Sequence, residues 1–312
     1  MSTIEKALAK KKQAAQDKKE NLEVKITDNN QQFDDLESTQ FQSATTNTNI
    51  PTSQEKGQIT QAEKIEKEAI FLNAEQLTER GFIYNSASAH HIQEEFRHIK
   101  RKLLNNAFGP AAKTLKHSNL IMVSSSNPNE GKTFISINLA LSIALEQEKT
   151  VLLVDADVLR PSLHRELQFE NKKGLLEYLL DEVPSLSDVI YNTNVPNLKL
   201  IPAGKAHHLT NELLASTKMA ALAEELAQRY PDRIVIFDCP PILGVTETPV
   251  LSSLVGQAVV VVEESKTKVN DVKKAVSHLD EDIAVGFVMN KTVMSKKDGY
   301  GYYGYGYNKT NQ

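Results

Sequence analysis

The sequence predicts an α/β fold built on a doubly wound, mostly parallel sheet. Short apolar runs rich in β-branched residues alternate with segments of helical periodicity, which is the pattern of a parallel sheet covered by helices on both faces. Two of these runs end in acidic residues, and the first leads into a loop that contains Gly131 and Lys132. Open α/β folds bind ligands at the carboxyl ends of their strands, so these residues are candidates for a binding site.

Six apolar runs of strand length are the predicted strands, and three segments with helical spacing are the predicted long helices. The strands are residues 119–123, 151–154, 198–201, 234–237, 258–262 and 283–289. The helices are residues 88–108, 133–146 and 211–229. In the first helix one apolar face is formed by Ile92, Phe96, Ile99 and Leu103. That helix ends before Gly109 and Pro110, which are typical helix terminators.

Composition divides the chain into three parts. Residues 1–85 are rich in Gln, Asn, Thr, Ser and Lys and contain few apolar residues. Such a segment buries too little surface to offset its ordering entropy, which predicts a mostly disordered tether. Residues 86–295 form the predicted folded domain. Residues 296–312 are a Gly/Tyr-rich segment with no folding pattern and are predicted to be a flexible tail.

The first residues of the tether are a possible exception. Ser2 and Glu5 have capping-box spacing, and Ile4 and Leu8 fall on one helical face. A short amphipathic helix that docks on a partner or a membrane surface fits this pattern, and so does a frayed, solvated helix.

Charge and composition narrow the classes of partner. The formal net charge is -4 with both signs mixed along the chain, so no basic surface for nucleic acid is predicted. The apolar runs are far shorter than the roughly 20 residues that span a bilayer, and the N-terminus lacks the apolar core of a secretory signal. A single cysteine, Cys239, excludes an internal disulfide framework. We therefore expect a cytoplasmic location.

The strongest motif is a phosphate-binding loop between the first strand and the helix that follows it. It consists of Ser126, Asn127, Pro128, Asn129, Glu130, Gly131, Lys132 and Thr133. Such a loop needs inward backbone N–H groups at a helix N-terminus, a lysine for the β- and γ-phosphates and a hydroxyl for Mg²⁺. Ser126 stands where the usual first glycine would be, so the strand-loop-helix context carries the prediction of a P-loop NTPase fold that binds ATP.

Three carboxylates follow strands that should end at the same edge of the sheet. Asp155 and Asp157 follow the second run, and Asp238 follows the fourth and precedes Cys239-Pro240-Pro241. Acids at strand ends suit Mg²⁺ binding and deprotonation of a hydroxyl. Any one of them alone is equally compatible with a helix cap or a surface ion pair.

Together these motifs resemble the bacterial tyrosine kinases, P-loop relatives of the MinD and ParA ATPases, and within them the autokinases of exosortase and exopolysaccharide loci. The resemblance covers residues 88–307. Besides the loop it includes the following segments: Leu152-Leu153-Val154-Asp155-Ala156-Asp157, Arg160-Pro161, Asp238-Cys239-Pro240-Pro241, Gly174-Leu175-Leu176, Ile201-Pro202-Ala203-Gly204 and Glu212-Leu213-Leu214-Ala215-Ser216. The opening Ile4-Glu5-Lys6-Ala7-Leu8 is similar to that of the subgroup.

The resemblance implies a role for each polar residue of the site. Lys132 binds phosphates, Thr133 and Asp238 organise Mg²⁺, Asp157 supports the metal shell and Asp155 is the base. Lys132, Asp155 and Asp157 are thus the expected catalytic residues. Asn290 ends the last strand where related ATPases contact adenine, although a turn-forming Asn that terminates a strand explains it equally well.

Two positions depart from the family pattern. MinD and ParA ATPases carry a signature lysine where this chain has Asn127, so dimerisation through that lysine is not expected. Many of the tyrosine kinases have an arginine at the position of Leu159, and here the arginine follows at Arg160.

A family oligomerisation motif is matched by Glu94, Arg97 and Lys100 on the first predicted helix. Lysine keeps the charge of the usual arginine but loses its bidentate fork. The motif is compatible with ring-like self-association and also with an ordinary solvated, charged helix face.

The C-terminal tyrosines are the expected phosphate acceptors. They are Tyr300, Tyr302, Tyr303, Tyr305 and Tyr307, separated by glycines that let each phenol enter a cleft. A sticky disordered terminus would have the same composition.

The leading hypothesis is therefore a protein-tyrosine autokinase that uses Mg-ATP and regulates exopolysaccharide production or export. Its expected partners are ATP, other copies of itself and a separate membrane-protein activator that brings it to the inner face of the cell membrane. A MinD/ParA-like positioning ATPase and an ATP-binding scaffold without phosphoryl transfer are the alternatives.

Overall fold

The computed structural model describes residues 69–84, 90–208, 210–230 and 232–293. All of them belong to one of two units of the chain, residues 64–312. The predictions for residues 1–68 and for the tyrosine tail lie outside the described residues.

Seven strands form one sheet, in the spatial order β3-β4-β2-β5-β1-β6-β7. Their bounds are β1 Leu120–Ser125, β2 Thr150–Asp155, β3 Tyr191–Asn192, β4 Leu198–Ile201, β5 Arg233–Asp238, β6 Gln257–Glu263 and β7 Ala284–Asn290. Every neighbouring pair is parallel except β3 with β4. The predicted doubly wound, mostly parallel sheet is confirmed.

Helices cover both faces of the sheet. They are α1 Ala74–Glu79, α2 His90–Phe108, α3 Lys132–Ala144, α4 Leu163–Glu166, α5 Leu175–Leu179, α6 Thr210–Leu214, α7 Thr217–Arg229, α8 Glu247–Ser252 and α9 Val269–Val276. Short 3₁₀ turns occur at Pro110–Thr114 and Leu186–Val189. Each face has its own buried apolar cluster, because alternate residues of a strand point to opposite faces of the sheet.

The register of the central strands brings the acidic strand ends together. Asp155 at the end of β2 pairs with Asp238 at the end of β5, and Val123 of β1 pairs with Asp238 on the other side. Since β1 leads into the predicted phosphate loop, the loop and the acids lie at one edge of the sheet.

All six predicted strands are present: β4 has the predicted bounds, and the ends of the other five differ from the prediction by one or two residues. The segment predicted as one helix over 211–229 is two helices, because Ser216 caps α7 by accepting a hydrogen bond from the Met219 N–H at 3.1 Å. Strand β3 was not predicted, since two residues are too few to show a period.

Residues 69–84 differ from the predicted tether and are packed onto the folded domain. Ile70, Leu72, Leu77, Phe82 and Ile83 are each at most 3% exposed and join the cluster on the α3 face of the sheet. Residues 69–84 therefore belong with the folded domain, which was predicted to begin only at residue 86. Within the described ranges, no helix has the length and apolar composition needed to cross a bilayer.

Two phenylalanines of this segment provide a matched test of its packing. Phe82 is 2% exposed and Phe71 is 72% exposed. We expect Phe82→Ala to lower the free energy of unfolding by about 3–5 kcal/mol, the usual cost of truncating a buried phenylalanine. Phe71→Ala should have little effect. Urea denaturation of both variants is the measurement, and equal losses would contradict the packing of this segment.

Candidate active site

The predicted phosphate loop joins β1 to the N-terminus of α3, as expected for a P-loop. Gly131, the residue before α3, has φ +95°, a conformation that only glycine adopts without strain. A Cβ atom at this position would lie 2.0 Å from Asn290 Nδ2. The backbone angle therefore favours glycine here, and a side chain at this position would also displace the Asn290 amide.

The buried carboxylate of Glu130 holds the loop in shape. It accepts hydrogen bonds from the Asn127 backbone N–H at 3.0 Å and from the Asn127 side-chain amide at 3.3 Å. It also accepts one from Thr267 Oγ1, in the segment after β6, at 2.6 Å. Asn290 Nδ2 donates to the Glu130 carbonyl at 2.9 Å. Asn127 and Asn290 thus stabilise the loop itself.

Lys132 and the three predicted carboxylates meet beside the loop. Lys132 Nζ lies 2.5 Å from Asp157 Oδ2, and both side chains are largely buried. Burial opposes the charge on Lys132, but the carboxylates of Asp238, Asp157 and Asp155 outweigh it and raise the Lys132 pKa above its ordinary value. Lys132 therefore carries its positive charge at neutral pH.

Both carboxylate oxygens of Asp238 accept hydrogen bonds from hydroxyl groups. Thr133 Oγ1 donates to Asp238 Oδ2 at 2.7 Å, and Ser136 Oγ donates to Asp238 Oδ1 at 3.1 Å. Thr133 Oγ1 also lies 2.7 Å from Ser162 Oγ. Burial raises the Asp238 pKa, and the charge of Lys132 and the hydrogen bond from Thr133 oppose that shift.

Asp155 has one oxygen fixed by the backbone and one oxygen free. The N–H groups of Ser162 and Leu163, where α4 begins, donate to Asp155 Oδ2 at 3.2 and 3.1 Å. Asp155 Oδ1 is buried without a hydrogen-bond partner among the described residues. Burial, with the negative charge of Asp238, raises the Asp155 pKa well above its ordinary value. A carboxylate with a free oxygen and a raised pKa is suited to accept a proton.

A cleft of about 910 Å³ opens over this cluster. Lys132, Thr133 and Asp157 line it, and Asp155 and Asp238 lie behind that lining. Leu159 and Arg160 also line it. The cleft therefore presents a cation, a hydroxyl and a carboxylate to a ligand, with two further acids beneath them.

The oxygens of the site fit Mg²⁺ carried by a nucleotide. No three histidine, cysteine or acidic side chains in the described part of the chain are arranged to hold a metal ion by themselves. Mg²⁺ commonly binds proteins through one or two carboxylates and takes its remaining ligands from water and phosphate. Thr133, Asp157 and Asp238 offer that kind of partial shell. Ser126 Oγ, buried without a partner among the described residues, lies in the same loop.

The predicted oligomerisation residues are only partly available to another subunit. Arg97 and Glu94 form an exposed ion pair at 2.5 Å. Lys100 is 8% exposed, and its ammonium group donates to the Ser142 carbonyl at 3.1 Å and lies 2.5 Å from Glu146. Lys100 was expected on the polar, solvated side of its helix. Instead its side chain is buried along α2 and its ammonium group reaches the end of α3.

Several residues of the site were not identified from the sequence. Ser136 lies one helical turn after Lys132, so helical spacing could have found it. Ser162 follows the Arg160-Pro161 motif but has no pattern of its own. Thr267 is brought to Glu130 by the sheet order alone, and no local signal indicates it.

Comparisons with known proteins give consistent matches. A family model described as an AAA domain matches residues 118–281. The chain is 34% identical over 213 residues to the tyrosine-protein kinase YwqD of Bacillus subtilis (strain 168), covering 68% of this chain and 86% of YwqD. It is 37% identical over 175 residues to the tyrosine-protein kinase ptk of Acinetobacter johnsonii, covering 55% of this chain but only 23% of ptk.

A solved structure agrees with these relatives. The kinase domain of the Escherichia coli tyrosine kinase ETK superposes with a TM-score of 0.52 and 29% identity, over 61% of this chain and 72% of that chain. The chain thus spans most of YwqD and about a quarter of the much longer ptk.

The raised pKa of Asp155 predicts a pH-dependent gain in stability for Asp155→Asn in protein freed of nucleotide and metal by EDTA. The folded wild type holds the Asp155 proton more tightly than the unfolded chain, so unfolding releases a proton. The free energy of unfolding of the wild type therefore falls as pH rises above about 4, the ordinary aspartate value, toward the folded pKa. The variant lacks this loss and should be the more stable protein at pH 8.

Urea denaturation between pH 4.5 and pH 8 measures the difference, which should grow with pH. Asp282→Asn, at an exposed carboxylate, is the matched control and should show no comparable trend. A variant less stable than the wild type at pH 8 would contradict the electrostatic description of this site.

Proposed function

This chain belongs to the bacterial tyrosine-protein kinase family, and we propose that it transfers the γ-phosphate of Mg-ATP to tyrosines in its own C-terminal segment. The observation that carries this proposal is the single sheet edge at which Lys132 and Thr133 meet Asp155, Asp157 and Asp238. Phosphoryl transfer depends mainly on positioning and charge neutralisation, and these residue types suffice for both.

Each residue has a defined task in the proposed reaction. Lys132 and the loop N–H groups bind the β- and γ-phosphates, with phosphate oxygens competing with Asp157 for the lysine. Thr133, Asp157 and Asp238 hold the Mg²⁺ side of the nucleotide. Bound Mg²⁺ supplies charge neutralisation on the phosphates. Asn290 fixes the loop through its hydrogen bond to the Glu130 carbonyl.

Asp155 is the proposed base. The tyrosine oxygen forms a bond to the γ-phosphorus, the bond to the β-phosphate oxygen breaks, ADP leaves and the phenolic proton passes to Asp155 Oδ1. The amides of Ser162 and Leu163 fix its second oxygen, and Oδ1 is buried without a hydrogen-bond partner among the described residues. The backbone therefore orients this carboxylate before substrate binds.

We propose that the acceptors are Tyr300, Tyr302, Tyr303, Tyr305 and Tyr307 of a neighbouring subunit. Nine residue steps separate Met294 from Tyr303 and extend to about 30 Å at roughly 3.3–3.6 Å each. The chain just before this segment contacts the phosphate loop, since Lys291 Nζ donates to the Asn129 carbonyl at 2.7 Å. From this point the extended length is enough to reach an adjoining subunit.

Phosphorylation is proposed to loosen the assembly. Each phosphotyrosine adds roughly -1.5 to -2 charges, which is large beside a formal net charge of -4. The surface proposed for subunit contact contains the exposed Glu94–Arg97 pair but not the buried Lys100.

The resemblance to kinases of exopolysaccharide loci motivates the proposed cellular role. In this role a separate membrane-protein activator recruits the kinase to the inner face of the cell membrane, and phosphorylation regulates polymer production.

Lys132→Met should abolish phosphorylation of the tail while leaving the fold intact, because it removes the charge nearest the transferred phosphate. Loss of one such group commonly costs about 10²–10³-fold in rate. Intact mass after incubation with ATP and magnesium is the measurement, and Lys113→Met, at an exposed lysine, is the matched control. Wild-type protein that hydrolyses ATP without gaining phosphate would favour a positioning ATPase, and protein that only binds ATP would favour a scaffold.

Transfer between subunits has a separate test. Lys132→Met protein with an intact tail is mixed with an active form that ends at residue 293, and light scattering and intact mass are followed with and without Mg-ATP. We expect phosphate on the inactive partner and a smaller assembly afterwards. Absence of phosphate there would exclude transfer in trans, and an unchanged assembly after full phosphorylation would exclude the loosening.

Substitutions of Asp155 and Asp238, the most buried acids of the site, should have different effects on phosphoryl transfer and on nucleotide binding. Asp155→Asn should lower the transfer rate by about 10²–10⁴-fold, the usual range for a general base, with little change in nucleotide binding. Asp238→Asn should weaken Mg-ATP binding by about 10–100-fold, as loss of a group supporting a metal shell does. Nucleotide titration and transfer rates measure both, and parallel losses in the two variants would contradict this division of roles.

A further inference from the structure

Residues 69–84, which we call the clasp, are fixed to the domain at both ends. At one end the Ile70 N–H donates to the Asn192 carbonyl on β3 at 2.9 Å. Leu72 exchanges two hydrogen bonds with the side chain of Asn194, at 2.7 and 3.0 Å. At the other end the Ile83 N–H donates to Asn138 Oδ1 on α3 at 2.7 Å. The clasp therefore spans from the β3 edge of the sheet to the helix that begins with Lys132.

Between its ends the clasp contacts residues that line the active-site cleft. Arg80 Nη1 donates to the Arg165 carbonyl at 3.1 Å, and Arg80 Nη2 donates to Glu166 Oε2 at 2.5 Å. The Phe82 ring packs against the Phe134 ring with centroids 5.4 Å apart. Arg165, Glu166 and Phe134 all line the cleft, so the clasp supports the cleft from outside.

Helix α4 connects Arg80 to Asp155. The N–H of Ser162, just before α4, and that of Leu163, its first residue, donate to Asp155 Oδ2. The Glu166 N–H donates to the Ser162 carbonyl at 2.8 Å and closes the single turn. Asp155 is thus bound at the amino end of this turn, and Arg80 is bound at its carboxyl end.

We propose that Arg80 is a positioning residue for phosphoryl transfer, acting on Asp155 through α4. A single helical turn is unstable on its own, so contacts from outside determine where its first amides lie. The guanidinium group binds a backbone carbonyl and a carboxylate at once, which fixes direction as well as distance. This inference rests on the proposed function in assigning the proton acceptor to Asp155.

Burial of Leu163 and Leu167 is the competing way to hold α4, since they are 1% and 3% exposed. If their packing alone placed the turn, loss of Arg80 would change nothing at Asp155. The two explanations therefore give different results for a substitution at Arg80, which lies at the surface.

The first test compares kcat for tail phosphorylation with nucleotide affinity in full-length Arg80→Ala. We expect kcat to fall about tenfold or more, the effect of losing 1.36 kcal/mol of transition-state stabilisation, while the nucleotide Kd stays unchanged because Lys132 and Thr133 are untouched. Arg80→Lys, which keeps the charge but loses the fork, should be intermediate. Arg229→Ala removes an exposed Arg–Glu pair of the same 2.5 Å length on α7 and should be fully active.

The second test is a double-mutant cycle with Asp155→Asn. If Arg80 acts through Asp155, Arg80→Ala should cause no further loss in the Asp155→Asn background, since coupled residues are not additive. Multiplication of the two losses, an unchanged kcat for Arg80→Ala, or equal falls in kcat and nucleotide affinity would each overturn the proposal.

Hydrogen exchange followed by mass spectrometry distinguishes failure of this proposal from failure of the proposed function. In Arg80→Ala, amides of residues 162–167 should exchange about fivefold or more faster, because the turn opens more often, while those of β5 stay as in the wild type. Unchanged exchange over 162–167 overturns the role of Arg80 whether or not the protein is a kinase. Wild-type protein that transfers no phosphate overturns the proposed function, and the exchange result then still decides whether Arg80 holds α4.

Discussion

The site is organised by the burial of three carboxylates around one lysine. Asp155 and Asp238 end neighbouring strands in register, so the sheet itself forces two acids side by side, and Asp157 adds a third within 2.5 Å of Lys132. Like charges at this depth are costly unless they are protonated, paired or hydrogen-bonded. The raised pKa values of Asp155 and Asp238 show that the one lysine compensates only part of that cost.

The surrounding residues reduce the remaining cost, and in doing so they assemble the site. The Thr133 and Ser136 hydroxyls donate to Asp238, and the backbone at the start of α4 donates to Asp155. An incoming polyphosphate brings still more negative charge into a cleft that already has three acids and one lysine. Binding therefore requires a cation that accompanies the phosphates, which is why the oxygens of this site suit a magnesium–nucleotide complex better than a free nucleotide.

Much of this arrangement follows from short-range signals in the sequence. The six apolar runs locate the strands, the parallel sheet requires their carboxyl ends to share an edge, and the motifs there predict the family that the comparisons confirm. Asp155 and Asp157, by contrast, are two residues apart and would point the same way in a continued strand. Strand β2 ends at Asp155, so Asp157 turns into the cleft and Asp155 stays behind it, which only the structure can distinguish.

Long-range contacts account for the features that the sequence did not indicate. The apolar residues of the clasp fit neither a helical nor a strand period for long and lie among polar neighbours, so composition favoured a tether. Lys100 follows Ile99 by one residue, about 100° around α2, and sits at the border of the apolar face rather than opposite it. Its partner Glu146 lies beyond the end of α3. A local sequence pattern cannot predict an ion pair between residues that lie so far apart in the chain.

The phosphate loop is consequently held from two sides by segments that lead out of the described domain. On one side the clasp packs Phe82 against Phe134, the residue after Thr133, and continues toward residue 68. On the other, Asn290 and Lys291, near the end of the described residues, donate to the carbonyls of Glu130 and Asn129. A displacement of either support would alter the contacts that hold the loop in this geometry. In the proposed function, linkage requires nucleotide binding to favour the position of each support by the same free energy with which that position favours nucleotide binding.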